Sequence, residues 1–218
     1  MFLFDINEIL ITILGYNISY LEAVGTIFGF ICVYLVTKEK ISSWPIGIIN
    51  IIFFFILFYQ IRLYSDMLLQ AIFFVLSIYG WYKWKKPEKG LENKNNELKI
   101  TTLSGFHRLL IGFIVASATF GLYLFMKEIH LILPTLFPEP AAAPLRDAFT
   151  TVTSVTAQWI MCKKKLESWM LWIAVDAVAF IYYFQTGVAL VGIEYILFFC
   201  LAIYGLFKWL NEYKGYVS

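Results

Sequence analysis

KEKISSWPIGIINIIFFFILFYQIRLYSDMLLQAIFFVLSIYGWYKW (38–84) recurs without a gap 125 residues later, as KKKLESWMLWIAVDAVAFIYYFQTGVALVGIEYILFFCLAIYGLFKW (163–209). Sixteen of the 47 aligned positions are identical. An apolar composition produces scattered Ile and Phe coincidences. It does not align Trp44 with Trp169, Gln60 with Gln185, Gly80 with Gly205 and Lys83 with Lys208 at a single offset. The stretch is therefore one half of an internal duplication, and the rest of the chain is arranged around it.

Lipid is the solvent in which such a repeat makes sense. The 218 residues are 61% hydrophobic and 15% charged, with a mean hydropathy of +0.75. Soluble domains are about 45–50% apolar and about 25% charged. Seven stretches reach the roughly 17–25 apolar residues that a spanning helix needs: about 20–37, 44–61, 64–83, 109–126, 146–162, 168–186 and 188–208. Spans one to three correspond to spans five to seven, and the fourth has no counterpart. Three helices cross a membrane an odd number of times, so a direct fusion would invert the second copy; one connector helix restores its orientation.

The expected fold is an all-α membrane protein with seven transmembrane helices, in a 3+1+3 order. Two parallel three-helix repeats, 20–84 and 146–209, are joined by a connector transmembrane helix at 109–126. Around them lie an N-terminal amphipathic segment (1–19), a polar loop (85–108), a loop (127–145) interrupted by Pro134, Pro138, Pro140 and Pro144, and a short tail (210–218). Residues 4–14 are expected to form a short surface helix. Asp5 and Glu8 stand where a cleavable signal would carry cations. Proteins that pass small molecules across membranes are commonly built from such repeats, with the solute held near the midplane where the halves meet.

Charge orients the chain. Fourteen of the 17 Lys and Arg fall on one side of the seven spans, and only Arg62, Lys127 and Arg146 on the other. Cationic loops stay cytoplasmic, so the N-terminus is expected outside and the C-terminus in the cytoplasm. A net charge of +2, confined to loops, does not indicate nucleic-acid binding. Cys32, Cys162 and Cys200 lie in or beside apolar stretches and are expected as small apolar fillers rather than as a disulfide frame or metal site.

Polar groups within a span are costly and normally face the interior, a cavity or a partner. Asp176 sits two turns into the sixth span, about 12 Å along its axis, and Trp169, Trp172, Asp176 and Tyr183 share one face. Trp172 and Asp176, four apart, offer a ring face and a carboxylate to one ligand, which suits a flat cationic heteroaromatic. For Trp169, beside Lys165, an interfacial anchor is the competing role. On the third span Asp66, Gln70 and Ser77 share a face, with Asn50 at similar depth on the second and Gln158 on the fifth. Amides supply donors and acceptors for sugar hydroxyls or for an amide, although they also glue helices together. Glu194 is a further intramembrane carboxylate. Asp66 and Glu22 lie near the outer surface, where water is the alternative partner. Gln60 and Gln185 occupy equivalent helix ends and are expected to be structural.

Five runs together resemble a known family: EAVGTIFGF (22–30), WPIGIIN (44–50), QIRLYSDMLLQ (60–70), IYGWYKW (78–84) and AQWIMCKKKLESWMLWIAVD (157–176). In order and spacing they are similar to the PnuC vitamin transporters, over nearly the whole chain. The resemblance implies a fold like that of the SWEET sugar transporters, a homotrimer in the bacterial inner membrane, and uptake of nicotinamide riboside. It also implies facilitated diffusion, made one-way by a cytoplasmic kinase that phosphorylates the vitamin. By motif, Asn50, Gln70, Gln158, Trp172 and Asp176 carry over as pocket residues, and no cofactor or metal is implied. Relatives of the family that carry thiamine leave that vitamin as the alternative substrate, since both have a cationic aromatic ring. An intramembrane enzyme would need a nucleophile–base pair or metal cluster, and His107 and His130 flank opposite ends of the fourth span. A non-transporting receptor or assembly protein is the remaining class, and it would have no use for a buried Asp176 and Gln70.

Overall fold

Seven helices and one hairpin make up a computed structural model that describes residues 2–13, 15–93, 96–135 and 139–217. Leu14, Lys94 and Pro138, which the sequence reading assigned to the amphipathic segment and the two long loops, lie outside those residues. The helices are α1 (Tyr20–Thr37), α2 (Ser43–Gln60), α3 (Tyr64–Lys85), α4 (Gly105–Ile132), α5 (Pro144–Cys162), α6 (Glu167–Gln185) and α7 (Ala189–Val217). The starts of α1 and α4 are capped by serine hydroxyls: Ser19 accepts from the Glu22 N–H at 3.1 Å, and Ser104 from the His107 N–H at 3.3 Å, satisfying donors that a first turn leaves open. Pro144 opens α5, where a missing N–H costs nothing.

The expected helix over 4–14 is not there. After a single 3-10 turn at Phe2–Phe4, β1 (Ile9–Ile13) pairs antiparallel with β2 (Tyr16–Ser19). Ile9, Ile11, Thr12 and Ile13 are β-branched and favour a pleated strand, and Gly15 adopts φ +80° at the turn, a conformation that glycine takes without strain. Gln60, at the end of α2, ties this region down: its amide donates to the Phe4 carbonyl at 2.6 Å and accepts from the Ile6 N–H at 3.0 Å.

Among the described residues five helices, α1, α2, α4, α6 and α7, are long and apolar enough to cross a membrane. The other two, α3 and α5, carry the polar residues Asp66, Gln70, Lys83, Arg146, Asp147 and Gln158, and they pack against each other. Neighbour contacts run α1–α2–α3–α5–α6–α7 and back to α1, a closed ring, with α4 laid on α5. The outward face of α4 exposes Phe106, Leu109 and Phe113, as a lipid-facing surface should.

Equivalent positions of the duplication play equivalent parts. The Trp84 indole N–H donates to the Met161 carbonyl at 3.3 Å, and Trp209, 125 residues on, donates to the Val36 carbonyl at 3.1 Å. Each bond crosses from one repeat to the other. Trp44 lies against Gly80, and Trp169 against Gly205. The turns match too: Glu39 and Lys164 both have positive φ (58° and 51°), as do Arg62 and Gly187 (60° and 80°). Glu39 and Lys164 also meet each other, with Lys164 Nζ 2.8 Å from Glu39 Oε2 and only 1% of the lysine side chain exposed.

The buried core lies at the lysine-rich end of this ring. Trp44, Trp84, Trp169 and Trp209 stand there with Val36, Met161, Cys162 and Ala202. The ring pairs are edge-to-face between Trp44 and Trp84 (5.3 Å) and between Trp169 and Trp209 (5.4 Å). The connection between α3 and α4 closes the end. Leu98 and Ile100 enter the tryptophan core. The Lys164 ammonium donates to the Leu98 carbonyl at 2.7 Å. Thr101 forms a parallel bridge to Lys165, and Glu167 accepts from the Leu103 N–H at 3.0 Å and from Arg108 at 2.8 Å.

Candidate functional site

The polar residues singled out in the spans fall into three groups. The first lies where α3, α5 and α6 meet. Gln70, Phe73 and Ser77 share one face of α3, at the three- and four-residue spacings of adjacent helix positions. The Gln158 amide of α5 reaches the Ser77 hydroxyl at 3.5 Å. The Trp172 ring of α6 lies 6.3 Å from the Phe73 ring, tilted by 57°. One turn beyond Trp172, the Asp176 residue is 6% exposed, and among the described residues its carboxylate receives neither a hydrogen bond nor an ion pair. A buried anionic group without a partner is costly, and a ligand that supplies a cation or donors removes that cost.

Asn50 forms the second group. Its amide donates to the Gly25 carbonyl of α1 at 2.8 Å. A Cβ on Gly29 would come within 2.9 Å of the same nitrogen, so the close approach of α1 to α2 depends on a residue without a side chain. Asn50 is half-buried, and its single amide oxygen remains available as an acceptor beside this bond.

The third group surrounds the end of the ring remote from the lysines. Tyr183 stacks on Tyr195 at 5.5 Å and 11°. The Arg146 guanidinium lies 3.7 Å above the Tyr182 ring and 5.8 Å from that of Tyr183, and it is paired with Asp147. Asp66 is exposed and within electrostatic reach of this pair. Glu194 accepts from the Thr26 hydroxyl at 3.2 Å. In β2 the Tyr16 hydroxyl donates to Glu22 at 2.9 Å; burial pushes that hydroxyl above its ordinary range, and Glu22 and Glu194 add to the effect.

Trp169 stands apart from all three groups. It is 2% exposed within the tryptophan core, against Gly205 and Trp209. Trp172 is half-buried and touches both that core and Phe73. Phe73, Tyr195 and Arg146 were not singled out from sequence. Phe73 carried a usable signal, three residues from Gln70 and four from Ser77. Arg146 carried another, as one of three cations on the sparsely charged side.

The chain as a whole is similar to known proteins. The family profile described as nicotinamide mononucleotide transporter matches residues 19–211. The nicotinamide riboside transporter PnuC of Escherichia coli (strain K12) is 34% identical, over 91% of this chain and 88% of its own. The riboflavin/roseoflavin transporter RibM of Streptomyces davaonensis is 25% identical, over 88% of this chain and 85% of its own. The crystal structure of the vitamin B3 transporter PnuC superposes with a TM-score of 0.67 at 25% identity, covering 89% of this chain and 82% of that one. These relatives are named as transporters, not as enzymes.

Proposed function

The chain belongs to the nicotinamide mononucleotide transporter family as a multi-pass membrane protein, and we propose that it takes up nicotinamide riboside. The observation that carries the proposal is the buried Asp176 carboxylate, unpartnered among the described residues, one turn from the Trp172 ring. A pyridinium stacks on an indole and balances a carboxylate, while Gln70, Gln158 and Asn50 offer amide groups for ribose hydroxyls and the carboxamide.

In this reading the halves are two parallel repeats around the α4 connector. The reciprocal Trp84 and Trp209 hydrogen bonds and the closed six-helix ring support it. The lysine-rich end faces the cytoplasm of a bacterial inner membrane, and the C-terminus with it, while the N-terminus is outside. The solute enters past Asp66, Tyr183 and Glu194 and leaves at the lysine-rich end. The described residues contain no cluster that would hold a metal. Transport is facilitated diffusion, made directional by a cytoplasmic kinase that phosphorylates the vitamin, and the assembly is a homotrimer.

Calorimetric titration of the purified protein with nicotinamide riboside, thiamine and riboflavin tests the substrate. Tightest binding of nicotinamide riboside is expected; tighter binding of thiamine would move the protein to that vitamin. In kinase-free proteoliposomes an ionophore is expected to leave uptake unchanged, and a collapse of uptake would show coupling to an ion gradient.

A further inference from the structure

At the lysine-rich end, outside the site described above, a cavity of about 310 Å³ opens between the ends of α3 and α5 and the connection that closes the ring. Its volume lies at the lower end of the roughly 300–1,000 Å³ typical of small-ligand sites. Its wall carries Lys83, Lys99, Lys163 and Lys165, with Thr101 between them, and among the described residues Glu88 is its one carboxylate.

The cations are only partly satisfied by the protein. Lys83 pairs with Glu88, whose side chain is 67% exposed at the rim. Lys99 donates to the Gly90 carbonyl at 2.8 Å and Lys165 to the Thr102 carbonyl at 3.3 Å. Among the described residues neither has a carboxylate within ion-pair distance. Lys163 has no such partner either; its ammonium lies 3.5 Å over the Trp159 ring. Burial, with Lys165 and Lys83 close by, holds that ammonium below its ordinary range. Like charges gathered in a recess repel one another, and an anion relieves the repulsion.

We propose that this cavity binds a phosphate group, presented either by an anionic lipid headgroup or by a free phosphate ester. A tetrahedral anion accepts several charge-assisted hydrogen bonds at once. Basic recesses between spanning helices at headgroup level are suited to such groups. Because Lys99 and Thr101 belong to the closing connection while Lys83 and Lys163 terminate α3 and α5, the bound anion fastens the connection to both helices.

The test uses the purified, delipidated full chain. Native mass spectrometry compares phosphatidylglycerol with phosphatidylcholine, and thermal melting is followed in inorganic phosphate and in glycerol 3-phosphate. Wild type is expected to retain the anionic lipid preferentially, to be stabilised by the soluble phosphates, or both. The first result alone assigns a headgroup site and the second a soluble-ester site. Lys163→Gln with Lys165→Gln is expected to weaken the effect about tenfold or more, the scale of losing charge-assisted bonds. The paired Lys→Arg variants should retain it, and Lys214→Gln, in the last turn of α7 and outside the cavity wall, should leave it unchanged. If the double variant does not fold, Lys99→Gln gives the same reading. Absence of both lipid preference and phosphate stabilisation in wild type overturns the proposal, as does full retention in the folded Gln variants.

Discussion

Gly80→Ala should destabilise this protein more than its chemistry suggests. A Cβ built at Gly80 lies 2.2 Å from the far edge of the Trp44 ring, with two more ring atoms at 2.5 Å. Ordinary contact begins at 3.4 Å, so the ring would have to retreat by about 1.2 Å. It has little room, being 4% exposed and held edge-to-face on Trp84 at 5.3 Å. Overpacking a rigid core costs about 1–3 kcal/mol. Because an aromatic plane rather than a flexible tip must yield, we expect about 2–3 kcal/mol, a fall in Tm of about 4–12 °C at this chain length. The assay is thermal melting of the detergent-solubilised protein. Gly205→Ala, whose Cβ would lie 2.6 Å from Trp169, should behave alike because the two sites are equivalent. Trp44→Phe removes the outer ring atoms, so Gly80→Ala with Trp44→Phe should recover part of the loss measured against Trp44→Phe alone. An unchanged Tm in Gly80→Ala, or no recovery in the double variant, would refute the packing argument.

Three further outcomes are expected. Glu39→Gln leaves the Lys164 ammonium buried without its counter-charge; breaking a buried pair costs about 3–5 kcal/mol. The remaining Leu98 carbonyl and the Trp84 ring at 4.8 Å put this case at the lower end, again read by melting. Trp172→Ala should weaken nicotinamide riboside binding by about 1–3 kcal/mol, the range for base–aromatic stacking; equal affinity in calorimetry removes Trp172 from the pocket. Asp176→Asn keeps the shape and removes the charge, so a cationic ligand should lose about 1.5–3 kcal/mol, the scale of a hydrogen bond to a charged group. A neutral analogue that suffers equally would show that hydrogen bonding rather than charge is what Asp176 supplies.

The helices were legible because a spanning segment must satisfy its own backbone hydrogen bonds, which makes length and hydropathy nearly sufficient. The α1 bounds agree with the expected 20–37, whereas α4 and α7 run past the apolar core into the polar ends, where hydropathy no longer marks them. The N-terminal hairpin is hidden behind an amphipathic period, and its signal in the sequence is the four β-branched residues of β1 together with Gly15. In the candidate site, Trp172 with Asp176 and Gln70 with Ser77 followed from spacing within single helices. The meeting of Gln158 with Ser77 and of Phe73 with Trp172 depends on how α5 and α6 lie against α3, which spacing does not encode. Trp169 shows the same limit: its face was right for Trp172, but the helix end carries it into the tryptophan core.

Glu39 and Lys164 occupy the same position in the two repeats and touch each other. A residue that meets its own counterpart lies on the axis relating the halves. In a dimer of separate, identical half-length chains that position would confront itself, carboxylate against carboxylate or ammonium against ammonium, in a space that exposes only 1% and 15% of the present side chains. Tandem linkage lifts that restriction, because two copies on one polypeptide mutate independently. The ion pair is thus a contact open to the fused chain and closed to a symmetric pair of halves, and it commits each half to the other: neither repeat can be exchanged for a second copy of its partner without setting like charges together.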